Sequence, residues 1–91
     1  MENATRETVL TRLNRIEGQV RGIARMVAED RYCIDIITQI AAVRAALHTL
    51  DQLILKDHID HCVAQAFASG DLAEQRAKVA ELTDTISRMT R

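Results

Sequence analysis

No proline interrupts this chain, and its three glycines leave the interval between Cys33 and Cys62 untouched. That interval is rich in Ile, Leu and Ala, so the absence of breakers predicts one unbroken helix across it. Aromatic residues are equally scarce: one Phe, one Tyr and no Trp in 91 residues. A single domain of this size sits near the lower limit for a self-sufficient core. With 47% hydrophobic and 27% charged residues the chain is nevertheless a folding one, so the missing burial is expected from other subunits of an obligate oligomer. A net charge of −1 gives no bulk attraction to nucleic acid, and any DNA contact has to come from local arrangement.

Other absences narrow the class. There is no alternating strand pattern, no Pro/Gly/Ser-rich linker, no internal repeat and no low-complexity segment, which leaves one all-α domain over residues 1–91. No apolar run approaches a membrane span, and Met1-Glu2-Asn3-Ala4 lacks the basic and apolar regions of a signal peptide. The expectation is a cytoplasmic protein with no membrane partner, in which two cysteines serve as ligands or reactive thiols rather than as a disulfide. A glycine-rich phosphate loop, paired carboxylates beside a pocket and a nucleophile next to a base are all missing. Neither catalysis nor a small-molecule substrate is expected.

What is present is helical periodicity. Thr5 is placed to cap a first helix, about 5–28, whose Val9, Leu13, Ile16, Val20, Ile23 and Val27 form a heptad seam. Gly18 and Gly22 lie away from that seam and make a bare patch. Arg15, Arg21 and Arg25 surround it, Arg12 stands at the seam's edge, and only Glu17 opposes them. Such a face is ordinarily just solvated; arginine forks also suit phosphate contact. Asp30 is placed to cap a second helix, about 32–68, with a seam of Ile36, Ile40, Val43, Leu47, Leu50 and Ile54 and small alanines at its middle. Ser69-Gly70-Asp71 ends it, and Asp71 with Glu74 forms a capping box for a third helix, about 71–89, whose inner stripe is Leu72, Val79, Leu82, Ile86 and Met89.

Both cysteines and all three histidines fall between Cys33 and Cys62. Along a straight helix Cys33 and His58 lie roughly 37 Å apart but share a face, and Cys62 follows His58 by one turn. One chain cannot close a site from these groups. An antiparallel second copy can, with Cys33 of one chain meeting His58 and Cys62 of the other, twice per dimer. The register that sets Cys33 opposite Cys62 also sets Arg44 opposite Asp51 and Ile40 opposite Leu55. Two thiols and one imidazole form a soft donor set suited to trigonal Cu(I) and one ligand short for Zn(II). Taken singly, a Cys in an apolar helix is usually a small buried hydrophobe, and a His near a helix end is usually surface. His61 could extend the set toward zinc or nickel, whereas His48 reads as a packing residue.

Four motifs together resemble the copper-sensing operon repressors (CsoR), within the wider CsoR/RcnR group of all-helical bacterial regulators. They are the run from Arg12 to Ile23, Tyr32-Cys33, the run from Gln39 to Arg44, and His58-x-x-x-Cys62. The resemblance covers nearly the whole chain. It implies a three-helix protomer with a long central helix, an antiparallel dimer pairing into a flat homotetramer, and a repressor that leaves operator DNA when Cu(I) binds. It further implies Cys33, His58 and Cys62 as the copper ligands, with Tyr32 and Glu81 supporting them and Glu74 as the alternative to Glu81. Arg12 and Arg15 match the DNA-contacting arginines, and Arg21 matches them more loosely. Related nickel or cobalt sensors use a histidine near the amino terminus, where Glu2 and Asn3 offer none. Formaldehyde sensors have a proline at position 2 and lack the second thiol, and persulfide sensors lack the histidine. A thiol-based sensor and a Zn- or Ni-responsive repressor of the same fold are the competing readings.

Overall fold

The computed structural model describes residues 1–90 and is all-helical. Helix α1 spans Asn3–Ala28, α2 spans Cys33–His58, a π-helical segment follows at Ile59–Val63, α3 is Ala64–Ala68, and α4 is Leu72–Met89. Cys33–Ala68 is continuous over 36 residues, so the long central rod stands as expected. Its uniform α character does not: around Ile59–Val63 the backbone widens, and the Ala64 N–H reaches back to the Ile59 carbonyl.

The turns show which polar side chains do the capping. Asp71 Oδ1 accepts from the N–H groups of Ala73 and Glu74, at 3.0 and 3.3 Å. The Asp71 N–H is satisfied by Ser69, whose Oγ accepts from it at 3.2 Å and donates to the Ala66 carbonyl at 2.7 Å, with Glu74 Oε2 3.4 Å away. Two other expected caps are corrected. Glu2, not Thr5, occupies the N-cap of α1, without a side-chain bond, because the helix begins two residues earlier. Asp30 does not start α2, whose N-cap is Tyr32; it closes α1. Its φ is +54°, its N–H donates to the Val27 carbonyl, and the Arg31 N–H donates to the Met26 carbonyl. That is a Schellman closure with aspartate in the left-handed position usually held by glycine.

Helices α1 and α2 pack as an antiparallel pair around Val9, Ile16 and Leu50, with Val43, Ala46 and Leu53 against them. Only two members of the α1 seam are buried there, while Val20 and Val27 stay 51% and 56% exposed. No residue of α4 is buried; of the expected inner stripe, Leu72, Val79 and Ile86 are exposed, while Leu82 and Met89 are half-buried. His48 is likewise exposed rather than packed, since α1 covers the opposite face of α2. The Cα radius of gyration is 17.8 Å, against about 12 Å for a compact domain of this length. A body measuring 58 × 28 × 13 Å over its Cα atoms is too thin to cover both sides of its central helix.

By length and composition Cys33–Ala68 is apolar enough to cross a membrane, although no single run suggested it. Between Asp35 and Lys56 the only charges are Arg44 and Asp51, and the short apolar runs add up across them.

The Asp30 closure generates a test. Asp30→Gly is expected to be at least as stable as the parent, and Asp30→Ala less stable than Asp30→Gly by about 1 kcal/mol, since alanine gains nothing from the left-handed conformation. Thermal unfolding of the variants under one condition measures it.

Candidate metal centre

Cys33 is the first residue of α2, and its thiol is free and exposed; Cys62 is free, half-buried and inside the π segment. His58 is the last residue of α2. With 26 residues in α2, Cys33 and His58 lie at opposite ends of a rod, roughly 37 Å apart by helical rise. No chain folds back to join them. Tyr32 stays at the Cys33 end, 69% exposed, so a single chain does not bring it to His58 either.

The π segment changes how His58 and Cys62 share a face. Four residues overshoot one α turn but fall short of one i→i+5 turn, so the angular offset between the two side chains changes sense. Nothing in Ile59–Val63 announces this in the sequence. His58 faces α4: its Nε2 lies 3.7 Å from Glu81 Oε1, close enough for an ion pair when the ring is protonated but beyond hydrogen-bond length. Glu74, the alternative, sits at the α3–α4 turn, where its Oε2 lies 3.4 Å from Ser69 Oγ. Glu81 is therefore the carboxylate beside the imidazole. Asp51, Ile54, Leu55, Thr85 and Met89 line the same shallow cleft.

A second polar cluster was not foreseen. Asp57 is the one buried charged residue among the described residues. Its Oδ1 accepts from the Glu2 N–H at 3.3 Å, and the Met1 amine lies 4.0 Å from Oδ2. His61 Nδ1 donates to the Asp57 carbonyl at 2.9 Å, and its Nε2 faces Glu2 Oε1 at 3.2 Å. Burial pushes the Asp57 carboxyl up, but the Thr5 hydroxyl, the Glu2 N–H and the nearby charges of His61 and the amine together hold it below its usual range. The bond to the Asp57 carbonyl raises the His61 imidazole, against some burial, with Glu2 and the Asp57 charge adding to it. His61 is thus committed to the first turn of α1. The signal was present: Asp57 and His61 continue the α2 seam beyond Ile54 with polar residues.

On α1 the arginines divide. Arg21 is held by Glu17 one turn before it. Arg12 and Arg15 form no ion pair among the described residues and line adjoining clefts, one with Gln19 and Thr49, the other with Glu7, Thr8 and Thr11. A Cβ built on Gly22 would meet nothing within 4 Å, so the bare patch beside these arginines is open.

Comparison with known proteins agrees with this architecture. The sequence profile of the metal-sensitive transcriptional repressors matches residues 5–88. The chain is 50% identical over 80 residues to the copper-sensing transcriptional repressor RicR of Mycobacterium tuberculosis, covering 88% of this chain and 82% of that one. It is 49% identical over 86 residues to the copper-sensing transcriptional repressor CsoR of Bacillus subtilis, covering 94% and 82%. The crystal structure of the copper-sensing repressor CsoR with Cu(I) from Geobacillus thermodenitrificans NG80-2 superposes with a TM-score of 0.89 at 41% identity, covering 100% of this chain and 92% of that one.

The Asp57–His61 pair predicts how docking of the α1 terminus varies with pH in the metal-free protein. His61, raised from 6.5, contributes fully below that value and loses its contribution as pH rises through its folded pKa. Asp57, lowered from 3.8, contributes above that value and loses its share as pH falls through its folded pKa. Hydrogen exchange in the first turn of α1 is therefore expected to be slowest, after correction for intrinsic rates, between the two. In His61→Ala the loss of protection on the alkaline side disappears.

Proposed function

The chain belongs to the metal-sensitive transcriptional repressors, and from that premise we propose that it represses transcription by holding operator DNA and releases it when Cu(I) binds between subunits. The observation carrying this reading is the placement of Cys33 and His58–Cys62 at opposite ends of one rod whose uncovered face is apolar. An antiparallel partner would cover that face and bring Cys33 of one protomer to His58 and Cys62 of the partner subunit. In that register Arg44 and Asp51, which line one cleft, would pair across the dimer. Two such dimers would form the flat homotetramer, acting in the cytoplasm, where thiols stay reduced.

The donor set fits the ion. Both thiols are free, and with one imidazole they make three soft ligands, enough for Cu(I) and one short of a closed Zn(II) site. Cu(I), when bound, supplies bonds that tie the two chains together at this point. His61, bonded to Asp57 and facing Glu2, does not join that set. Glu81, 3.7 Å from His58 Nε2, would close on the ring when the metal binds and so carry its movement into α4, the role of a partner that fixes a ligand's orientation. Tyr32, next to Cys33, would reach the same ring from the other protomer. Arg12 and Arg15, which form no ion pair among the described residues, are the phosphate contacts, and Arg21 contributes less because Glu17 competes for it. Release requires that the metal bind the DNA-free arrangement more tightly than the DNA-bound one.

The exposure of Cys33 and the freedom of both thiols also suit a sensor that joins Cys33 to Cys62 of the partner subunit through sulfur. His58→Ala separates the two readings. Under copper sensing, anaerobic Cu(I) no longer lowers DNA affinity in fluorescence anisotropy, while thiol cross-linking by polysulfide persists. If His58→Ala responds to Cu(I) like the parent, the copper site is wrongly assigned.

The arginines are tested on the metal-free protein. Arg12→Ala and Arg15→Ala are each expected to weaken operator binding and to flatten its salt dependence by roughly one unit of log–log slope per contact removed. Arg21→Ala should do less of both.

A further inference from the structure

The Glu2–Asp57–His61 cluster shares no donor with the thiol set, and we propose that it is a second metal site, built within one chain, for a borderline divalent cation of the Zn(II) class. One donor atom from each residue lies within 4.8 Å of the other two. The Asp57 carbonyl can only accept, so the proton of a neutral His61 ring sits on Nδ1, 2.9 Å from that oxygen. This is how a metal-binding histidine is usually anchored. Nε2 then turns a lone pair toward Glu2 Oε1 at 3.2 Å. Two lone pairs at that separation need a positive centre between them, either a proton or a cation.

The separation suits a cation. Two donors held at 2.0–2.1 Å from one tetrahedral ion stand about 3.4 Å apart. Asp57 supplies a third donor: of its two oxygens, Oδ1 accepts the Glu2 N–H at 3.3 Å, and a carboxylate has lone pairs to spare beyond that bond. Two carboxylates and a neutral imidazole are balanced by a dication; without one, the same two charges come from a proton on His61 and from the Met1 amine 4.0 Å from Asp57 Oδ2. The hardness of the oxygens steers the choice as well. Cu(I) prefers the thiols, and one imidazole with two carboxylates suits a borderline divalent ion. Occupancy would pin the first turn of α1, which precedes the free arginines on the same helix, to the π segment.

The test removes the thiols. Full-length Cys33→Ser/Cys62→Ser protein, free of metal, is titrated near neutral pH with Zn(II) by calorimetry and with Co(II) by visible absorption. The expected result is about one ion per chain, with a Co(II) spectrum lacking thiolate charge transfer. Adding Glu2→Gln or His61→Gln to that background should weaken Zn(II) binding by at least about ten-fold, with helical content by circular dichroism unchanged. Failure of the thiol-free protein to bind Zn(II) overturns the proposal. Affinity that survives both Glu2→Gln and His61→Gln also overturns it, by placing the ion elsewhere. Neither result bears on the Cu(I) reading, because the copper donors Cys33 and Cys62 are absent throughout.

Discussion

A straight helix keeps its two ends apart, and that rigidity governs everything else in this protein. The rod from Cys33 to Ala68 contains neither proline nor glycine, and the π segment near its end widens it without folding it back. Its thiol at one end and its imidazole–thiol pair at the other are therefore sites in halves. Any chemistry needing all three donors must wait for a second chain. Control of the site and control of assembly are then the same problem.

Packing points the same way. Within one chain the buried apolar set is Val9, Ile16, Leu50, Val63 and Ala66, far less than 47% hydrophobic residues could supply to a compact domain. The surplus is ordered by face: α1 covers one side of α2, and the apolar residues left open on α2 and α4 recur at heptad spacing. Scattered exposed apolar residues are ordinary, whereas contiguous ones mark a contact surface. The composition that lets the rod resemble a membrane span is the composition of a helix meant to be enclosed by protein on several sides. In the proposed antiparallel dimer, Arg44 and Asp51 would set its specificity, since charges so placed favour one register over its neighbours.

Much of this was legible in the residues because the physics is local. Periodicity gave the helices, Gly70 gave the break before α4, Asp71 gave its cap, and the spacing of Cys33, His58 and Cys62 gave their separation along the rod. The misreadings fall where a local rule met a tertiary partner. Thr5 and Asp30 have the chemistry of N-caps, yet Thr5 faces Asp57 and Asp30 closes the preceding helix. The α4 stripe and His48 were placed inward because amphipathic pattern identifies a buried face without saying which chain buries it. The π segment left no trace, since one extra residue in a turn costs little and alters no periodicity long enough to read. Asp57 was overlooked because charged residues are rarely buried unless paired, and its partners lie 55 positions away.

That distant pairing links the two ends of the problem. Within six residues the end of the rod addresses two neighbours and keeps one thiol free: Asp57 and His61 hold the first turn of α1, His58 faces Glu81 of α4, and Cys62 is unpaired among the described residues. Helix α1 runs without interruption from that first turn through Arg12 and Arg15, so the terminus cannot shift while the arginines stay in place unless the helix itself bends. The Val9–Ile16–Leu50 contact fixes the middle of the pair, which leaves pivoting about that core as the motion open to α1. A force applied at residues 57–62 thus acts on the short amino-terminal arm of a lever whose fulcrum, between Val9 and Ile16, carries Arg12 and Arg15, so these side chains reorient with the helix rather than travel with its far arm. The coupling free energy is bounded by how differently the end of the rod binds its ligands in the two positions of that lever.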